Sequence, residues 1–215
     1  MVSHREKLIS GFGGALAIFV VFAMTRLLQL GFEGQVLLIA SMGASAVLLF
    51  AAPHSPLAQP RNVIVGHLVS ALIGVVVARV LPDTALGAAL AAGLAITAMY
   101  YLNVLHPPGG ATALIPVIGG PAVASYGLAF VLFPVGFGAV LMVALAVAFN
   151  APFAWRRYPQ RPAATPLPPH YPDITHADFV AALSEIDTYV DISEADLLRI
   201  YAIAAPRKDN SDRAA

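Results

Sequence analysis

From Gly11 to Ala154 this chain carries only five charged side chains: Arg26, Glu33, Arg61, Arg79 and Asp83. No Asp or Glu follows between Thr84 and Pro172. A soluble domain holds about 25% charged residues because its surface must be wetted. Here 59% of the 215 residues are hydrophobic, 11% are charged and the mean hydropathy is +0.78. The segment is therefore solvated by lipid, and an all-α polytopic membrane bundle is expected over residues 1–154. Net charge is zero, and nothing in the charge pattern suggests a nucleic-acid partner. The absence of cysteine excludes disulfides, zinc thiolate sites and iron–sulfur clusters.

Hydropathy marks spans at Leu8–Leu30, Gln35–Ala52, Asn62–Leu81, Thr84–Leu105 and Ala122–Asn150, with a shorter apolar piece at Gly109–Gly120. The first lacks an Ala-x-Ala cleavage site and has the length of a full crossing, so it is expected as a retained helix. A crossing needs about 20 residues. The Gly109–Gly120 piece, and a helix starting at Gly43, are too short and fit half-helices completed by extended chain. Such backbone survives at membrane depth only when protein or a water-filled cavity surrounds it.

A six-residue phrase is written twice, Gly43-Ala44-Ser45-Ala46-Val47-Leu48 and Gly110-Ala111-Thr112-Ala113-Leu114-Ile115. Pro53-His54-Ser55-Pro56 follows the first copy, and His106-Pro107-Pro108 precedes the second. Gly14-Ala15-Leu16-Ala17 also echoes Ala88-Ala89-Leu90-Ala91. The expected architecture is an inverted 3+3 repeat with two short or broken helices. Basic residues at Arg5, Lys7, Arg156, Arg157 and Arg161 place both ends in the cytoplasm, giving an even number of crossings. Six crossings leave Arg61 inside and are preferred to four. A bacterial inner membrane is the expected location.

Residues 155–172 form a Pro-rich linker. Apolar residues at helical spacing predict two short cytoplasmic helices over 173–205, ahead of a disordered tail over 206–215. The acidic exterior of those helices argues for docking on protein rather than on a membrane surface.

Two opposed half-helices would aim N–H groups and partial positive charge at one central solute. Gly43, Ala44, Ser45, Gly109, Gly110, Ala111 and Thr112 are then the candidate substrate-binding residues, with Ser45 and Thr112 as hydroxyl donors. Small-residue helix packing is the competing explanation for the glycines and alanines. Cation and proton transporters keep an acid at membrane depth; between Gln35 and Asn150 the only acid is Asp83. His67, inside the third span, is a candidate proton carrier or a neutral hydrogen-bonded ring. His106 and His54 are further proton or gating candidates, and Asn103, Tyr100 and Tyr101 are candidate entrance residues. No nucleophile–base pair, phosphate loop, metal set or cofactor motif is present, so neither an enzyme nor a cofactor is expected.

His106-Pro107-Pro108-Gly109-Gly110-Ala111-Thr112-Ala113 resembles the signature of the HPP family of integral membrane proteins. Ser41 to Phe50, Pro53 to Asn62 and Gly66-His67 also resemble the family pattern, and the likeness covers roughly residues 8–150. Some members of that family transport nitrite in plastids and cyanobacteria, which implies nitrite here. The family is usually described with four membrane helices. Several bacterial relatives carry a nucleotide-binding CBS region, for which this tail is too short.

The function expected is a transporter or channel for a small monovalent anion, with nitrite leading. A membrane sensor or scaffold signalling through the tail, and a cation channel lined by half-helix carbonyls, are the alternatives. The partners expected are the lipid bilayer and the anion. Gly127, Gly136 and Gly138 on the last span offer close helix contacts within a protomer or in a homo-oligomer.

Overall fold

Prolines, glycines and capping hydroxyls cut the apolar sequence into helices. The computed structural model describes residues 3–160; the linker beyond Gln160 and the expected helices and tail lie outside the described residues. Helix α1 (His4–Thr25) starts at Ser3, whose hydroxyl accepts the Glu6 N–H. Helix α2 (Gly31–Ala51) is followed by a single tight turn, Pro56–Ala58. Pro60 opens α3 (Pro60–Ala78) at a position where its missing N–H costs nothing. Thr84 caps α4 (Ala85–Tyr101) by accepting the Gly87 N–H at 2.9 Å. Pro107 and Pro108 open the short α5 (Pro108–Ile118), and the five-residue α6 (Gly120–Ala124) follows.

The last apolar stretch, expected as one span from Ala122, is cut twice. Gly127 takes φ +51°, and Phe133 is extended (φ −144°, ψ 116°) ahead of Pro134, which has no N–H to donate. A wide turn over Val131–Gly136 then runs into α7 (Phe137–Asn150). The described residues contain no strand.

Contacts fix the path of the chain. At one end Glu6 pairs with Arg156 beyond α7, Arg156 reaches the Phe50 carbonyl near the close of α2, and Tyr158 bonds the Ala58 carbonyl just before α3. Arg61 at the start of α3 donates to the Leu102 and Asn103 carbonyls past α4, at that same end. At the other end the Asp83 N–H bonds the Val117 carbonyl, and Gly34 lies against Val123. The chain therefore runs from end to end six times, and residues 4 and 150 finish together. Four helices, α1, α2, α3 and Val131–Asn150, are long and apolar enough to cross a membrane unaided. The 17 residues of α4 and 11 of α5 span about 25 and 16 Å. Residues 102–107 supply the depth that α5 lacks.

The packing pairs exchange when α1, α2 and α3 are swapped with α4, α5 and α7. Thus α1–α2 answers α4–α5, α3–α5 answers α7–α2, and α3–α4 answers α7–α1. Leu38, Met42, Val63, Ile115 and Met142 are buried between these helices. Phe12, Phe19, Phe32 and Leu132 stand outward, as an acyl-chain solvent permits.

Candidate functional site: a buried hydroxyl and imidazole cluster

Helix α2 turns Ser41 and Ser45, one helical turn apart, toward α3 and α5. There they meet His67 of α3, Thr112 of α5 and His106 of the loop before α5. All five side chains are completely buried. Ser45 Oγ lies 2.9 Å from His67 Nε2 and 3.0 Å from His106 Nε2. His67 Nδ1 lies 2.7 Å from Thr112 Oγ1, which lies 2.6 Å from Ser41 Oγ. His106 Nδ1 donates to the Leu57 carbonyl at 2.9 Å, and the two rings stand edge to face with centroids 4.9 Å apart. Ser45 precedes the end of α2 by six residues and His67 follows the start of α3 by seven, so the cluster sits about 10 Å inside the bundle.

Local sequence explains how the loop reaches that depth. Asn103 takes φ 52°, which ends α4, and Pro107 and Pro108 prevent its resumption. Arg61 and Asn62 bond the carbonyls of Leu102, Asn103 and Leu105, pinning the descending segment to α3. Close approach needs glycine: a methyl at Gly66 would lie 2.8 Å from His106 Cβ, and one at Gly109 would lie 2.7 Å from Ser70 Oγ.

The repeated phrases do converge, but through their hydroxyls. Ser45 and Thr112, equivalent in the repeat, bond opposite nitrogens of the single His67 ring. The two opposed half-helices expected from the sequence are not formed. Helix α2 runs unbroken through Gly43, so only the second copy opens a half-helix. The reason lies in proline order. Pro53 and Pro56 come after the first copy and follow the end of α2, whereas Pro107 and Pro108 come before the second and start α5. A mid-helix glycine costs only about 1 kcal/mol and does not break a helix.

Of the residues expected at the site, Ser45, His67, His106 and Thr112 come together. Gly109 is buried beside them and makes room for Ser70. Gly43 faces a groove of about 440 Å³ between α1 and α2, Gly110 has open space at its Cα, and Ala44 and Ala111 are exposed. His54 is half-buried in the loop after α2, while Tyr100, Tyr101 and Asn103 are exposed where α4 ends. Ser41 and the Leu57 and Pro108 carbonyls were not foreseen; the four-residue spacing of Ser41 from Ser45 carried that signal for the serine. Among the described residues no group of three or more His, Cys, Asp or Glu could hold a metal. Within the cluster the hydroxyls and imidazoles satisfy one another and the Leu57 and Pro108 carbonyls, and among the described residues no carboxylate is bonded to any member.

Comparison with known proteins identifies a family. The family model described as HPP, transmembrane region, matches residues 1–159. Two transmembrane proteins of Dictyostelium discoideum are similar: one is 42% identical over 128 residues, 58% of this chain and 41% of the relative, and the other is 45% identical over 126 residues, 57% and 44%. The chain thus aligns with under half the length of these curated relatives. No solved structure matches. With the match running through all seven helices and the whole cluster, the chain belongs to the HPP family of integral membrane proteins.

Proposed function

We propose that the protein is a transporter or channel for a small monovalent anion, with nitrite the leading substrate, and that it catalyses no covalent step. The observation that carries the reading is the acid-free cluster of three hydroxyls and two imidazoles, fully buried where α2, α3 and α5 cross. Burying polar groups in a membrane protein costs free energy, and ionisable side chains at membrane depth, here the two histidines, commonly mark a solute or proton path. Helix α5 starts beside them, so the amides of its first turn add to the favourable potential for negative charge. The exchange of packing pairs, together with the opposite run of each partner helix, supports two three-helix units of inverted sense around this site. The bilayer is the obligatory partner, a homo-oligomer is the assembly we favour, and a bacterial inner membrane with both ends cytoplasmic is the location.

The test is nitrite uptake into vesicles holding the full chain, measured against protein-free vesicles. Ser45→Ala and Thr112→Val are each expected to lower the initial rate about tenfold, the equivalent of one lost hydrogen bond to a charged solute. Native uptake by both variants, with native thermal stability, would remove the cluster from the solute path.

A further inference from the structure

The bond partners in the cluster determine where each hydrogen lies. The Leu57 carbonyl can only accept, so His106 Nδ1 carries a hydrogen. A neutral His106 then has a bare Nε2, which takes the hydrogen of Ser45. That hydrogen being used, His67 Nε2 donates to Ser45 Oγ. His67 Nδ1 is consequently bare and accepts from the Thr112 hydroxyl; that hydrogen being used, the 2.6 Å contact between Ser41 and Thr112 is a donation from Ser41, shorter than its alternative to the Pro108 carbonyl at 3.1 Å. The competing bonds, Ser45 to the Ser41 carbonyl and Thr112 to the Pro108 carbonyl, are longer at 3.3 Å each. One directed line results: Ser41, Thr112, His67, Ser45, His106, Leu57 carbonyl.

Resting on the anion reading above, we propose that this line loads one proton for each anion bound, so that solute and proton enter as a neutral pair. A proton arriving at Ser41 Oγ releases the Ser41 hydrogen to Thr112. Thr112 passes its own to His67 Nδ1, His67 passes its Nε2 hydrogen to Ser45, and Ser45 passes its own to His106 Nε2. One proton has been taken up, only O–H and N–H bonds have changed, and the single new positive charge is on His106, which still donates to Leu57.

What ties this charge to an anion is the lack of any built-in counter-charge. Helix α2 presents Ser41 and Ser45 to the two rings, and α5 presents Thr112 and the Pro108 carbonyl. The turn before α3 adds the Leu57 carbonyl, α4 adds Met99 beside Gly66 and Gly109, and α3 adds Ser70. The Val131–α7 segment, packed on α3, approaches it at Leu68 through Gly136. Among the described residues none of these is acidic or basic apart from the two histidines, so a bound anion supplies the missing charge, and binding of either species favours the other.

Full-length protein labelled with ¹⁵N-histidine, in lipid nanodiscs, tests the hydrogen assignment, with His67→Gln and His106→Gln identifying the signals. At neutral pH without nitrite we expect His67 as the Nε2–H form and His106 as the less common Nδ1–H form. Finding both in the Nε2–H form, or either ring doubly protonated, would overturn the relay. In vesicles, making the outside one pH unit more acidic should raise nitrite uptake up to tenfold above protein-free controls, with no response to imposed voltage. Thr112→Ser should keep this pH response and Thr112→Val should lose it. Uptake that follows voltage and ignores pH overturns the relay and leaves the anion reading intact. No uptake under any gradient overturns the anion reading and the relay with it.

Discussion

Arg156, in the segment after α7, is the largest fully buried side chain among the described residues. Its guanidinium donates to Asn150 Oδ1 at 3.1 Å, Ser10 Oγ at 3.1 Å and the Phe50 carbonyl, and pairs with Glu6 at 2.9 Å. Burial lowers its pKa, and the Glu6 carboxylate offsets that only in part. Arg156→Met leaves an acid and a helix-end carbonyl without their donor, and should cost about 3 kcal/mol of stability, read from thermal unfolding in detergent. Arg156→Lys should recover only part of that, since an ammonium cannot reproduce the planar fork. Burial acts on Tyr158 in the same way, against its charged form. Its hydroxyl donates to the Ala58 carbonyl at 2.7 Å, and burial pushes its pKa up from the ordinary phenol value. A pKa raised on folding stabilises the protein fully below the unfolded value of about 10, and the contribution fades as pH climbs beyond it. Stability of the native protein should therefore fall more steeply above pH 10 than that of Tyr158→Phe. Glycines divide by the space beside them. Gly43→Ala meets nothing within 4 Å and should gain up to about 1 kcal/mol from helix propensity, whereas Gly74→Ala drives a methyl into the Ala113 carbonyl oxygen and should destabilise clearly in the same assay.

At the scale of elements, hydropathy located α1 to α5 to within a few residues of their observed bounds, because each is an apolar run set off by proline, glycine or a capping hydroxyl. The last span was misjudged, since composition alone does not show that Phe133 leaves helical geometry before Pro134. The half-helix was legible at Pro107-Pro108 and illegible at Gly43, where a repeated phrase suggested a break that no backbone-incompatible residue enforces. Four of the site residues were legible as hydroxyls and histidines near the repeat. Their meeting was not, because it depends on how α2, α3 and α5 cross, and helix faces in a bundle apolar all round give weak directional signals. Arg156 illustrates the same gap: as sequence it counts toward the cytoplasmic basic cluster, and in the fold it is interior. Because α2 is continuous, Ser41→Pro, which removes a mid-helix N–H, should abolish folded yield. Pro107→Ala, ahead of the first turn of α5, should lower stability by about 1 kcal/mol or less.

For the whole molecule, the even number of passes puts the start of α1 and the segment after α7 at one end, with the α3–α4 connection at the other. The natural chain has no cysteine, so single introduced cysteines report position cleanly. Ser3→Cys and Gln160→Cys should react with an impermeant maleimide from the same face of sealed vesicles, and Asp83→Cys from the opposite face. Removing residues 161–215 should leave nitrite flux standing if the membrane unit alone conducts, whereas a sensor working through that region would lose its output. The contacts of Arg156 also bear on how such a bundle can move. One guanidinium fastens α1, the end of α2 and the close of α7 like a rivet through three staves, and drawing any of them away would strand a cation in a dry interior. Widening at that end is therefore expensive for this trio, and because Tyr158 and Gln160 also tie the turn before α3 to the same segment, a solute would be admitted at least cost by swinging α4 and α5 past a fixed wall.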